Sequence, residues 1–124
     1  MVHLDLKPPD IIIPMKGGHL SITDFNRSVC ITGTERRFHG VISTVGYLAP
    51  EVTANQGLYS AVQADLWTCG KMLEELCLLC MPSKDHGTLL EIVVELMNDD
   101  PEQQLMMSDV LKELDYCKTN DGAR

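Results

Sequence analysis

Two sets of side chains in this sequence have types and spacing that could do chemistry. The first is sulfur: Cys77-Leu78-Leu79-Cys80 has the C-x-x-C form used for zinc ligation or thiol exchange. The pair lies in an apolar helical pattern with no second pair, and the nearest histidine is His86. The ordinary reading is of thiols acting as small buried hydrophobes, with zinc or redox chemistry as the alternative. The second set is charged: Asp5, Lys7 and Asp10 near the start, then Asp24 beside Phe25. Carboxylate oxygen is the donor that a hard divalent cation needs. Taken singly, however, Asp5 or Lys7 is a charged surface turn, and a D-F pair means little. His19, His39 and His86 are isolated and expected to face solvent, and Arg36-Arg37 is a basic pair in a loop, where solvation is the ordinary state.

What positions these groups is a single domain. A chain of 124 residues can bury roughly two-thirds of its unfolded surface. Apolar residues at 44% and charged residues at 23% are globular proportions, which argue against disorder. Eighteen acidic against ten basic side chains leave a formal charge of -8, the wrong sign for neutralising phosphates, so nucleic acid is not an expected partner. No apolar run approaches the roughly 20 residues of a bilayer span, and Met1-Val2-His3-Leu4-Asp5 lacks the character of a signal peptide. Cys30, Cys69, Cys77, Cys80 and Cys117 are odd in number and irregularly spaced, which suits reduced thiols. The expected setting is intracellular, in the cytoplasm, without membrane contact.

Along the chain, Ile11-Ile12-Ile13 reads as a short buried strand ended by Pro14. Lys16-Gly17-Gly18 is a turn, and His19 to Thr23 alternates as a half-buried strand, which makes a small β-hairpin. Asp24 to Glu51 reads as one long functional loop. Leu58 to Leu79 is a central helix with Ser60 as N-cap and Gln63 completing a capping box. Trp67 and Leu73 belong to its core face. Pro82 and Gly87 break the chain, and Leu89, Leu90, Ile92, Val93, Leu96 and Met97 recur at helical spacing until Asn98-Asp99-Asp100-Pro101. A last amphipathic helix carries Met107, Val110, Leu111 and Leu114 on one face. Met81, Met97, Met106 and Met107 read as core filler.

Four segments in a fixed order resemble the C-terminal lobe of a eukaryotic protein kinase of the Ser/Thr type. His3-Leu4-Asp5-Leu6-Lys7-Pro8-Pro9-Asp10-Ile11 is similar to the catalytic loop H-R-D-L-K-P-x-N-I. The resemblance makes Asp5 the carboxylate that orients the acceptor hydroxyl and takes its proton, and Lys7 the contact to the transferred phosphoryl group. Ile22-Thr23-Asp24-Phe25-Asn26 resembles the D-F-G motif, which implies Asp24 as principal Mg²⁺ ligand with Asp10 as the second. Ser43-Thr44-Val45-Gly46-Tyr47-Leu48-Ala49-Pro50-Glu51 resembles G-T-x-x-Y-x-A-P-E, the most specific of the four. In that family the Thr44 counterpart hydrogen-bonds the aspartate and lysine and shapes the acceptor pocket. Tyr59 to Gly70 is similar to the F helix with its D-x-W-S-x-G core, which implies that Asp65 sits buried and accepts backbone N–H groups of the catalytic loop. His3 is implied to pack under Phe25. Asp5, Asp10 and Asp24 are thereby expected to converge on one metal–phosphate cleft.

Several positions depart from the family pattern. Leu4 stands for the H-R-D arginine, which removes the cation that pairs with a phosphorylated activation segment. Asp10 stands for an asparagine. Asn26 stands for the D-F-G glycine, where Asn is the substitute that best tolerates positive φ. In Asp100-Pro101-Glu102-Gln103-Gln104-Leu105, similar to D-P-x-x-R-P, Gln104 replaces the arginine that pairs with the A-P-E glutamate, so Glu51 is expected either to be solvated or to find another cation. The stretch between Leu79 and Leu89 is too short for the family's G helix.

The glycine-rich loop, the β3 lysine and the αC glutamate are also expected to be missing, as are the helices before the catalytic loop, so an exposed apolar patch is expected on the F helix. The fold expected is mainly α with one small β-hairpin, a partial kinase domain over residues 1–118 of a parent α+β two-lobed fold, followed by a polar tail over residues 119–124. The implied function is phosphoryl transfer from ATP and Mg²⁺ to protein Ser or Thr, with the chain by itself inert. Two rivals stand beside it: a non-catalytic, pseudokinase-like interaction module that binds a protein partner, and a truncated gene product.

Overall fold

In the computed structural model, residues 1–33, 37–40, 44–54, 57–79, 84 and 86–121 are described. Glu35, Arg36, Ser43, Cys80, Met81 and Pro82 therefore lie outside the described residues, as does the side chain of Cys117. The elements run β1 (Ile11–Ile12), β2 (Ser21–Ile22), β3 (Arg37–Phe38), α1 (Pro50–Thr53), β4 (Tyr59–Ser60), α2 (Ala61–Leu79), α3 (His86–Leu96) and α4 (Met107–Asp121). Short 3₁₀ turns cover Pro8–Asp10 and Pro101–Gln103.

The hairpin forms where the turn chemistry put it. Ile11 pairs with Ile22 and Ile12 with Ser21, antiparallel. Gly17 and Gly18 both adopt positive φ, 79° and 110°, a conformation that side-chain-bearing residues resist. The apolar run was misjudged as buried, since Ile12 and Ile13 are 54% and 66% exposed. A two-stranded ribbon of two residues per strand has nothing to pack against on that side. The expected loop from Asp24 to Glu51 also holds more order than its lack of periodicity suggested. Val29 bridges Val2 with reciprocal N–H···O bonds of 3.0 Å, and β3 pairs antiparallel with β4, Arg37 opposite Ser60 and Phe38 opposite Tyr59. Single-residue bridges and two-residue strands are too short to leave a period.

Helix α2 is the axis of the molecule. Ser60 precedes it and its Oγ accepts the Gln63 N–H at 3.4 Å. The Gln63 side chain reaches beyond the helix start, its amide donating to the Pro101 carbonyl. Gly87, read as a breaker, is the second residue of α3. Helix α3 crosses α2 at Gly70, where an added Cβ would meet Met97 Cγ at 2.8 Å and Leu96 Cβ at 2.9 Å, so only glycine permits the approach. Leu66, Ile92, Leu96 and Val110 form the core there, with Leu73, Leu105 and Leu114 against it. On α4 only Val110 and Leu114 of the expected face pack; Met107 and Leu111 are exposed, and Met106 likewise is no core filler. The helix itself runs to Asp121. A second cluster joins Ala49, Val52, Tyr59 and Ala64 to Trp67, and a third joins Val2, Leu4 and Ala61.

Candidate active site

The site is built where the first ten residues cross α2. Asp65, one turn into α2, turns its carboxylate to the chain's start: Oδ2 accepts the His3 N–H at 2.9 Å and Oδ1 the Leu4 N–H at 2.8 Å. These are charge-assisted bonds, roughly twice as strong as neutral ones. They clamp a strained backbone, since Leu4 has φ 65°, a region costing a residue with Cβ about 1–2 kcal/mol. Leu4 itself fills apolar space beside Val2 and Ala61. An arginine is therefore replaced by a core residue at that position. His3 Nε2–H donates to the Thr23 carbonyl at 2.9 Å, tying the first segment to the end of the hairpin.

Asp5 follows directly on that clamp. Its Oδ1 accepts both the Thr44 N–H at 2.8 Å and the Thr44 hydroxyl at 2.6 Å. Its Oδ2 meets Lys7 Nζ at 3.0 Å and Arg27 Nε at 3.6 Å. Burial pushes the Asp5 carboxyl up, but the Thr44 hydroxyl, the Lys7 ammonium and the Thr44 N–H together outweigh it, and the group lies below its ordinary value. Lys7 is raised, chiefly by its bond to Asp5; partial burial opposes this, while the charges of Asp5, Asp10 and Asp24 add to it. Thr44 is exposed, and its hydroxyl goes to Asp5 rather than to Lys7. The segment that carries Thr44 is pinned to α2 twice, by the Thr68 hydroxyl on the Tyr47 carbonyl at 2.8 Å and by the Tyr47 hydroxyl on Glu75 at 2.5 Å. The Tyr47 hydroxyl is pushed up to about 12 by that bond to Glu75, with burial adding to it.

Asp10 and Asp24 are brought together only in part. The Asp10 carbonyl accepts the Thr23 N–H at 2.8 Å, which places Asp24 next to the turn bearing Asp10. The buried Asp10 carboxylate is already engaged: Oδ2 accepts the Lys7 N–H at 3.2 Å and stands 3.8 Å from Lys7 Nζ. Asp24 is exposed, and the Asn26 amide donates to its Oδ1 at 2.7 Å. Among the described residues no three His, Cys, Asp or Glu side chains gather closely enough to hold a metal ion; Asp5 and Asp10 share Lys7, and the charge of Asp24 also reaches that ammonium. Mg²⁺ is held by one or two carboxylates together with phosphate oxygens and water. Asp24 has the exposure such an ion needs. The positive φ expected at Asn26 falls instead on Asp24, at 59°, and Asn26 serves as a hydrogen-bond partner.

His3 and Phe25 stack tilted, with centroids 5.1 Å apart, but Phe25 is 47% exposed rather than buried. It forms one wall of an apolar groove of about 460 Å³ with Leu6, Ile22, Ile31, Leu66 and Met107. Glu51 stands in contrast to all of these groups. Both of its oxygens are buried without a hydrogen-bond partner among the described residues, and burial pushes its carboxyl up. Gln104, in the arginine's place, is turned away: its amide donates to the Leu96 carbonyl at 3.0 Å. Cys77 is a buried thiol on α2, and its expected partner Cys80 lies outside the described residues. His19 and His39 are exposed while His86 is partly covered. Arg27, Glu75 and Thr68 were not foreseen. Only the position of Arg27, just after Asp24-Phe25-Asn26, was a signal available beforehand.

The chain belongs to the protein kinase family: the family model described as protein kinase domain matches residues 1–116. It is 35% identical over 103 residues to CBL-interacting serine/threonine-protein kinase 17 of Arabidopsis thaliana, a match covering 80% of this chain and 23% of that protein. It is 38% identical over 87 residues to putative CBL-interacting protein kinase 13 of Oryza sativa subsp. japonica, covering 68% of this chain and 17% of the relative. CBL-interacting serine/threonine-protein kinase 1 of Arabidopsis thaliana is 33% identical over 101 residues, 80% of this chain and 22% of that one. The matched stretch thus spans less than a quarter of each of these relatives. The family is one of transferases that use ATP and Mg²⁺. Among the described residues no helix is long and apolar enough to cross a membrane.

Proposed function

We propose that this chain carries the acceptor side of a protein Ser/Thr kinase active site. Asp5 orients the Ser or Thr hydroxyl and takes its proton, Lys7 meets the transferred phosphoryl group, and Thr44 holds Asp5 in position. Asp24 holds Mg²⁺, with Asp10 as a lesser contributor because its outer oxygen is given to Lys7. What Mg²⁺ would supply at these carboxylates is positive charge to offset the negative charge developing in transfer. Asp65 and His3 support the loop, Phe25 covers His3, and Glu51 belongs to the supporting structure. The observation that carries this reading is the Asp5 carboxylate, bonded at one oxygen by Thr44 and at the other by Lys7, on a backbone held by Asp65.

The 124 residues contain no G-x-G-x-x-G loop, so the chain by itself is proposed to be inert and to act with a lobe that covers ATP. The substrate or partner class is protein. A second reading, a non-catalytic module that binds a protein partner, is favoured by the apolar groove beside Phe25 and Leu66, a type of surface that marks interaction sites when left open. The deciding experiment mixes the chain with ATP, Mg²⁺ and a generic protein substrate, alone and fused to a glycine-rich lobe, each against Asp5→Asn. Transfer by the fusion that falls about 10²–10⁴-fold in Asp5→Asn supports the kinase reading. No transfer by the fusion, while its melting temperature still rises with Mg²⁺ and nucleotide, favours the binding module.

A further inference from the structure

We propose that the cleft between the β3–β4 ribbon and the turn Pro101–Gln103 is a docking site for an extended peptide segment of a protein partner, one that presents an acidic and a basic side chain from the same face. None of the residues bonded to Asp5 lines this cleft, and the inference does not depend on the role of Asp5.

The cleft follows from strand geometry. Side chains of cross-strand partners stand on one face of a ribbon, and those of successive residues on opposite faces. Phe38 and Tyr59 are partners and pack into the core with Ala49 and Val52. Arg37 and Ser60, the other pair, are thereby turned to the opposite face, where they line a cleft of about 620 Å³. That volume falls within the ~300–1,000 Å³ of ligand pockets. Asp100 and Glu102 line it from the Pro101–Gln103 turn, which the Gln63 amide ties to α2 through the Pro101 carbonyl.

Three polar groups in this cleft lack partners. The Arg37 guanidinium and the Glu102 carboxylate carry opposite charge and line one cavity, yet neither makes an ion pair or a side-chain hydrogen bond among the described residues. Ser60 is 5% exposed; its Oγ accepts the Gln63 N–H at 3.4 Å, but its hydroxyl proton has no acceptor among the described residues. Buried donors are nearly always paired, so an acceptor entering from the cleft supplies what this one lacks. A carboxylate placed there takes the Ser60 proton and the Arg37 fork together, and such charge-assisted bonds are the strong ones. Glu102, with Asp100 beside it, receives a cation instead. Because the two charges stand too far apart to pair with each other, they suit a ligand whose own charges are separated. Residues i and i+2 of an extended peptide share a face and lie about 7 Å apart. A segment of one sign is repelled by one set of charges or the other, which is the source of selectivity.

The test follows backbone amide NMR signals of the full chain during titration with capped Ala-Asp-Ala-Lys-Ala, against capped Ala-Asp-Ala-Asp-Ala, Ala-Lys-Ala-Lys-Ala and Ala-Asn-Ala-Gln-Ala. The signals of Arg37, Ser60 and Glu102 are expected to move at about two- to five-fold lower concentration with the mixed peptide than with the other three. Arg37→Glu is expected to turn the preference to the lysine peptide and Glu102→Lys to the aspartate peptide, reversals that a merely structural role would not produce. Both side chains are exposed, and the four-peptide comparison in the native chain decides the matter even where a variant fails to fold. An equal response to all four peptides, or movement confined to other residues, overturns the site. The same movement with free aspartate and lysine marks a small-ion site and overturns the peptide segment as occupant.

Discussion

Two buried carboxylates on the activation-segment side of α2 have opposite surroundings. Asp5 has a hydrogen-bond donor at each oxygen, and these bonds lower its pKa. Glu51 has no hydrogen-bond partner among the described residues, and burial raises its pKa. The difference is in partners: Thr44, Lys7 and Arg27 are present around Asp5, whereas Gln104 offers Glu51 no charge and spends its amide on Leu96. The charged donors around Asp5 have no counterpart among the described residues around Glu51.

The largest effect expected is at the clamp beneath Asp5. Asp65→Ala leaves the His3 and Leu4 N–H groups without acceptors and should lower the unfolding free energy by about 3 kcal/mol in urea titration, while Asp65→Asn, which retains an oxygen acceptor, should cost less. A loss under about 0.5 kcal/mol would mean that Leu4 holds its left-handed backbone without help. Next comes Glu51→Gln, which removes an unpaired charge and should stabilise the chain by about 1–2 kcal/mol at neutral pH. A destabilised variant would show that Glu51 has a cation after all.

The pH dependence separates the two carboxylates by sign. Glu51 binds its proton more tightly folded than unfolded, so between its raised value and the ordinary 4.5 stability should increase as pH falls, and Glu51→Gln should flatten that slope. Asp5 binds its proton less tightly folded, so its contribution should be present above the ordinary 3.8 and be lost as pH falls below it toward the folded value. Urea midpoints measured across pH in the native chain and Glu51→Gln test both. Thr44→Ala is a smaller change: loss of one hydroxyl bond should cost about 1 kcal/mol and raise the Asp5 carboxyl in an NMR titration. The smallest effect belongs to Lys112→Ala, whose exposed pair with Asp109 at 2.8 Å should change stability by less than about 0.5 kcal/mol.

Much of the fold was legible because it is local. The hairpin follows from Gly17-Gly18, and the start of α2 from Ser60. That position 104 offers Glu51 no cation could be read from Gln104 alone. Other features were not legible for a common reason. Pairing of Arg37-Phe38 with Tyr59-Ser60 depends on chain folding back over some twenty residues, and two residues per strand leave no alternation to detect. The Gln63 amide donates to the Pro101 carbonyl, a partner 38 residues away. The left-handed backbone falls on Asp24, directly after Thr23, whose backbone is tied to Asp10 and His3 from an earlier part of the chain.

By itself the sequence determined the helices, the hairpin, the order of the kinase-like segments and the lack of a cation at position 104, since turn chemistry, capping and helical periodicity act over a few residues. Only the tertiary structure decided that Asp65 would receive the first segment's N–H groups, that Lys7 would bridge Asp5 and Asp10, and that Arg27 would lie over the carboxylate. Those outcomes depend on satisfying buried donors and acceptors from distant parts of the chain, and that condition exists only once the chain has packed.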